Sequence, residues 1–200
     1  MRRLAELIDR EAGGRAVAVG LSLGGYVLAE LAGAHPERLA GLVLSGCSWV
    51  PKGPFTLPFR AYGWLTQVLG RGFLTWLQGA QTRVLCPAAT ARSINEAGFS
   101  VRIMPEVMRE LAGRDVCASL SRYPGPVLVL NGKWDFPFRL DERALMAAAP
   151  QARLEVIRGA GHLSNLHRPA AFNEAVRRFA SSVAREVGAD AHPTTVTRSS

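Results

Sequence analysis

Gly20-Leu21-Ser22-Leu23-Gly24 has the pattern G-x-S-x-G, set between a short apolar run and a helical pattern. A serine held on so tight a strand-to-helix turn points its hydroxyl out of the end of a sheet, where it can act as a nucleophile. Glycines are expected at the flanking positions 20 and 24 because a Cβ there would collide with the neighbouring backbone. The helix that follows offers unbonded amide hydrogens to a developing oxyanion, chiefly the N–H of Leu23.

Serine is a poor nucleophile without a base and a group to orient that base. Asp135 follows the apolar run Val127-Leu128-Val129-Leu130, and His162 follows the run ending at Ile157. Both therefore sit just past strand ends, the positions from which side chains reach the crevice of an open parallel sheet. Gly159-Ala160-Gly161 precedes His162 and lets its loop come close to the serine. His167 is the one rival base, although Arg168-Pro169 places it at the start of the last helix. His35 precedes Pro36 at a helix end, and His192 lies in the C-terminal tail. No carboxylate stands in Ser45-Gly46-Cys47-Ser48, the other place from which an acid could serve, and Asp141 and Glu142 fall inside a helix.

The elements that must position these residues follow from apolar periodicity. A short amphipathic helix opens the chain and stops at Gly13-Gly14. Ala16-Val17-Ala18-Val19 reads as a strand buried on both faces, Tyr26 to Ala34 as a helix, and 42–44, 126–130 and 153–157 as further strands. Helices are expected over 139–149 and from Pro169 to about Val187, with Gly188 as the stop. Strand–helix–strand, an irregular insert, then strand–helix–strand–helix predicts an α/β fold, a parallel sheet with helices on both faces. The expected domain spans 1–187, with a mainly helical cap inserted at about 47–122, and 188–200 is expected to be a disordered tail.

Composition bounds the remaining possibilities. The 200 residues are 48% hydrophobic and 20% charged, enough apolar side chain for one core and too few residues for two full domains. The net charge of +8 is concentrated in the middle third: residues 47–125 hold nine basic and four acidic side chains. The adjacent basic pairs are Arg2-Arg3 and Arg177-Arg178, too sparse for a nucleic-acid interface. Cys47, Cys86 and Cys117 have neither disulfide nor zinc-ligand spacing and are expected to be buried thiols. No apolar stretch has the length of a signal peptide core or a membrane span, so a cytoplasmic protein without membrane association is expected.

The segments G-L-S-L-G-G, G-K-W-D and G-A-G-H-L-S-N-L-H-R-P-A-A-F-N resemble the nucleophile, acid and histidine motifs of the α/β-hydrolase fold superfamily. They are most similar to its branch of small capped serine hydrolases: esterases, enol-lactonases, carbon–carbon bond hydrolases and haloperoxidase-like perhydrolases. The resemblance covers about residues 1–187 and is weakest through the cap. It implies Ser22 as nucleophile, Asp135 as acid and His162 as base, with the Leu23 N–H in the oxyanion hole, acyl transfer through an acyl-enzyme, and no metal or organic cofactor. The implied substrate is a small, largely apolar ester, lactone or related acyl compound.

Trp64, Trp134 and Phe136 are the candidate substrate-binding residues. Seven of the fifteen aromatic residues fall between Trp49 and Trp76. Phe55, Phe59, Tyr62, Trp64, Phe73 and Trp76 either line an apolar pocket or fasten the cap to the sheet.

The resemblance also implies strands and a His-Gly loop upstream of the first helix, the loop supplying a second oxyanion N–H. Without them strand 16–19 is expected at an exposed sheet edge, an association site for a second copy. Three readings follow, in order: an incomplete version of a serine hydrolase, a short chain that completes its sheet with a partner or a second copy, and a binding or pseudoenzyme relic.

Overall fold

The computed structural model describes residues 1–50, 56–98, 106–107, 110–111, 114–136 and 138–190. Helix α1 (Arg2–Ala12) ends where Gly13 turns left-handed at φ 64° and strand β1 (Ala16–Leu21) begins soon after. Ser22 joins β1 directly to α2 (Leu23–Ala34), and a single 3-10 turn (Pro36–Arg38) leads into β2 (Leu39–Ser45). Between β2 and the next strand lie α3 (Leu57–Val68), α4 (Arg71–Leu85), α5 (Ala88–Ala97) and α6 (Val116–Leu120). The chain then runs through β3 (Pro126–Gly132), α7 (Glu142–Ala148), β4 (Gln151–Ile157), α8 (Ser164–His167) and α9 (Pro169–Asp190).

The four strands pair in parallel in the order β1-β2-β3-β4. Alternation along the two inner strands assigns their side chains to two cores. Leu42, Leu44, Val127 and Val129 pack with α1, α2, α6 and α7, while Val43, Leu128 and Leu130 pack under Phe172, Ala175, Phe179 and Val183 of α9. Helices therefore cover both faces, as strands apolar on both sides require.

Three expectations need correction. β1 lies at the outer edge of the four described strands, as expected of strand 16–19 without strands upstream, and it is half-exposed, with Val19 at 45% exposure, rather than buried on both faces as its apolar run reads. An apolar run shows that a strand can be buried, not how many neighbours cover it. Helix α7 starts at Glu142, three residues later than expected, because the Asp141 N–H donates to the Ser48 carbonyl at 2.8 Å and not to a carbonyl one helical turn earlier. Helix α9 passes Gly188 and runs to Asp190, since a glycine costs a helix only about 1 kcal/mol relative to alanine. Residues 188–190 of the expected tail 188–200 are thus helical, and 191–200 lie outside the described residues.

None of the three cysteines forms a disulfide, and Cys47 and Cys86 are buried. Among the described residues no helix is long and apolar enough to cross a membrane.

Candidate active site

Parallel strands bring their C-terminal ends to one side of the sheet, and here the ends are level. Leu21 pairs with Ser45, Leu44 with Val129, and Gly132 with Ile157. The segments that leave these ends carry Ser22, Gly46, Asp135 and His162, so residues far apart in sequence meet at one rim.

Ser22 is the turn between β1 and α2. Its φ of 53° and ψ of −121° make it the one non-glycine residue with positive φ among the described residues. Such a conformation costs on the order of 1–3 kcal/mol and persists only when its surroundings enforce it. They do: the Ser22 N–H donates to the Ser45 carbonyl at 2.7 Å, and its own carbonyl accepts from Gly25 N–H at 2.9 Å. Leu23, the first residue of α2, has no carbonyl one turn earlier in the helix to accept its amide hydrogen.

The glycines around Ser22 do not divide as expected. A Cβ on Gly20 would lie 2.6 Å from the carbonyl carbon and oxygen of Gly24 and 2.7 Å from the Gly25 nitrogen, all backbone atoms that cannot rotate away. A Cβ on Gly25 would meet Cys47, whereas one on Gly24 meets nothing within 4 Å. Steric need therefore falls on Gly20 and Gly25, not on Gly24. Gly20→Ala is expected to destabilise the protein by about 1–3 kcal/mol. At about 2–4 °C per kcal/mol that is readable by thermal unfolding. Gly24→Ala, the control, is expected to match or slightly exceed the wild-type melting temperature, and a drop as large as that of Gly20→Ala would disprove this assignment.

His162 bridges the other two groups. Its Nδ1 is 2.9 Å from Asp135 Oδ1, and its Nε2 is 2.9 Å from Ser22 Oγ. A carboxylate can only accept, so Nδ1–H donates to Asp135, and Nε2 is left as the acceptor for the Ser22 hydroxyl. The Asp135 side chain is only 1% exposed and that of His162 is 29% exposed. Phe138 stacks on the imidazole with ring centres 4.3 Å apart, and Trp49 meets Phe138 edge-on at 6.0 Å. His35 lies at the end of α2, with its Nδ1 3.6 Å from Glu37.

A buried polar framework that the sequence reading did not single out holds these loops. Asn131, fully buried at the end of β3, accepts from the Gly46 N–H at 2.9 Å and donates to Ser48 Oγ and Glu142 Oε1, both at 2.9 Å. Arg139 grips Glu142 with two bonds of 2.6 and 3.0 Å and donates to the Lys133 carbonyl at 2.9 Å. Burial works to raise the Glu142 carboxyl, but the hydrogen bonds from Arg139 and Asn131 and the Arg139 charge outweigh it and hold that carboxyl below the ordinary glutamate range. Gly46, at φ 59°, is thereby pressed against the acid–base pair: a Cβ there would lie 3.1 Å from Asp135 Oδ2 and from the His162 ring. A Cβ on Gly132 would likewise run into the carbonyl oxygens of Ala160 and Gly161, so the loops of Asp135 and His162 touch backbone to backbone. An asparagine closing an otherwise apolar strand was the available sequence signal, since a buried amide must find partners.

Cys47 lies close behind the site and is no rival nucleophile. Complete burial, with the Asp135 charge adding to it, pushes its thiol up to about 12, so it stays protonated at neutral pH. Burial likewise raises the Tyr26 phenol, which donates to the Trp49 carbonyl at 2.7 Å.

A cleft of about 740 Å³ opens beside His162, lined by Pro87, Trp134, Asp135, Phe136, Phe138, Gly159, Gly161, His162, His167 and Arg168. Trp134 and Phe136, two of the aromatic residues expected to bind substrate, form its wall and are 68% and 76% exposed. Trp64 does not line it: it lies on α3 at 63% exposure. Enrichment in aromatics does not tell which face of a helix each ring occupies. Phe73 and Trp76 pack on each other on α4 with centres 5.7 Å apart. Phe55 and the side chains of Phe59 and Tyr62 lie outside the described residues. Among the described residues no cluster of His, Cys, Asp and Glu could hold a metal ion.

The sequence of the chain matches a model of the Alpha/beta hydrolase family over residues 1–175. It is 30% identical over 182 residues to an AB hydrolase superfamily protein of Gibberella zeae, covering 90% of this chain and 61% of that one. The chain thus spans about three fifths of the length of this relative. Among solved structures it is similar to a malate-bound thermophilic esterase from Thermogutta terrifontis. That match has a TM-score of 0.70 and 27% identity, over 90% of this chain and 70% of that one. A hydrolase from Pseudomonas aeruginosa PA01 matches with a TM-score of 0.71 and 27% identity, over 89% and 69%.

Proposed function

The chain belongs to the alpha/beta hydrolase family, and on that premise we propose that it is a serine hydrolase of small, largely apolar esters, lactones or related acyl compounds. The observation that carries this reading is the imidazole of His162, 2.9 Å from both Ser22 Oγ and Asp135 Oδ1. His162 Nε2 takes the hydroxyl proton as Ser22 Oγ attacks the substrate carbonyl carbon, and Asp135 holds the imidazolium that forms. The carbonyl π electrons move onto oxygen, where the Leu23 N–H meets them. Collapse expels the alcohol, which leaves with the proton from His162, and water then releases the acyl group from Ser22 by the same steps.

The substrate class rests on the cleft walls. Trp134, Phe136 and Phe138 offer apolar faces beside Asp135 and His162. The similar esterase from Thermogutta terrifontis supports an ester as the scissile bond.

An alkyl fluorophosphonate tests the reading without requiring knowledge of the natural substrate. Ser22 Oγ attacks phosphorus, fluoride leaves, and the protein gains one phosphonyl group by intact mass. Labelling confined to Ser22 and absent from Ser22→Ala is the expected result. An unlabelled wild-type chain, or equal labelling of both proteins, would overturn the proposal.

A further inference from the structure

His167 lines the cleft and is not used by the steps above. It is the last residue of α8, and its Nδ1 lies 3.0 Å from the amide nitrogen of Gly161, the residue immediately before His162. A backbone N–H is only a donor, so Nδ1 must present a lone pair: the His167 ring is neutral, with its proton on Nε2. The bond closes the 161–167 loop at the point where the chain turns His162 towards Ser22. The middle of this loop is fixed to the sheet, because the buried hydroxyl of Ser164 meets that of Ser45, at the end of β2, at 3.3 Å.

We propose that His167 is a positioning residue for His162. Its neutral imidazole accepts the Gly161 N–H and holds the His162 loop, and protonation puts a second N–H against the first and releases it. This inference rests on the reading of Ser22, His162 and Asp135 as a hydrolase triad. The other titratable or charged groups on the same cleft are His162 and Asp135, from the loops after β4 and β3, and Arg168, at the joint between α8 and α9.

The consequence is a particular pH dependence. His162 must be neutral to take a proton, and His167 must be neutral to hold it in place. One required deprotonation gives an acid limb in which log kcat/KM rises about one unit per pH unit, and two give a slope approaching about two. Activity is lost as pH falls, and it falls faster than a single base allows.

The experiment compares the full chain with His167→Gln, whose side-chain oxygen accepts the Gly161 N–H but does not titrate, and with His167→Leu, which cannot accept. With 4-nitrophenyl acetate, the wild-type acid limb should be steeper than one and that of His167→Gln should fall to about one, with kcat/KM at pH 8 within about threefold of wild type. His167→Leu should lose about tenfold in kcat at pH 8 with KM within about twofold. A glutamine variant as steep as wild type, or a leucine variant with unchanged kcat, would overturn the proposal.

A second readout needs no turnover. In the Ser22→Ala background the Gly161 amide signal in a nitrogen–proton correlation spectrum should move in two steps with pH, one from the adjacent His162 and one from His167, and only one step should remain when His167→Gln is added. An amide with the same pH response in both proteins would overturn the brace. If wild type and Ser22→Ala hydrolyse the ester equally, the triad reading fails, and the amide signal alone still decides whether His167 holds the loop.

Discussion

Ser22→Ala is expected to lower kcat on short aryl esters by about 10⁴–10⁶, with KM within a few fold of wild type. The attacking atom is gone, and water held near His162 is a poor substitute, while the walls formed by Trp134, Phe136 and Phe138 are untouched. Alanine keeps the Cβ of serine, so the strain at φ 53° persists and the melting temperature should stay close to wild type. Ser22→Gly separates chemistry from strain. It should be equally inactive, yet it relieves a conformation that costs about 1–3 kcal/mol, against about 0.5–1 kcal/mol of added chain entropy. A melting temperature a few degrees above wild type is expected, at about 2–4 °C per kcal/mol. Equal turnover by Ser22→Ala and wild type would sink the assignment of the nucleophile.

Asp135→Asn should cost about 10⁴ in kcat with little change in fold. The substitution keeps shape and burial but exchanges an obligate acceptor for a group that can also donate. An amide nitrogen facing His162 Nδ1 turns that atom into the acceptor, which moves the ring proton to Nε2. Nε2–H then points at Ser22 Oγ and cannot take its proton. Thermal unfolding should show a folded protein, and steady-state kinetics should place the loss in kcat. Activity within about tenfold of wild type would mean that Asp135 does not set the tautomer.

Much of this site is legible in the sequence because parallel sheets impose a simple rule. Whatever follows an apolar strand reaches the same rim, so Ser22, Asp135 and His162 could be placed together from strand ends alone. The supporting framework was less legible. Asn131, Ser48, Arg139 and Glu142 carry no motif, and their role depends on hydrogen bonds between loops that the sequence does not order in space. The glycine pattern misled for a related reason. G-x-S-x-G draws attention to Gly24, while the close approach in the folded turn belongs to Gly20 and Gly25. Trp64 shows the same limit for composition, which counts rings without giving their direction. His167, a rival of His162 on the sequence alone, accepts the N–H of Gly161, the residue before His162.

Ser22 and His162 are 140 positions apart in the chain, and that spacing sets a timetable for biosynthesis. At about 5–20 residues per second, the histidine leaves the peptidyl transferase centre about 7–28 s after the serine. Through that interval the strained Ser22 turn has no imidazole opposite it, and β1 and β2 are synthesised well before β3 can pair with the open edge of β2. The proposed triad is therefore assembled only after His162 has been made, and α9, which follows it, closes the second core. A nascent chain stalled between residues 45 and 126 would display two apolar parallel strands without β3 and β4 beside them, a form exposed to aggregation and to chaperone capture.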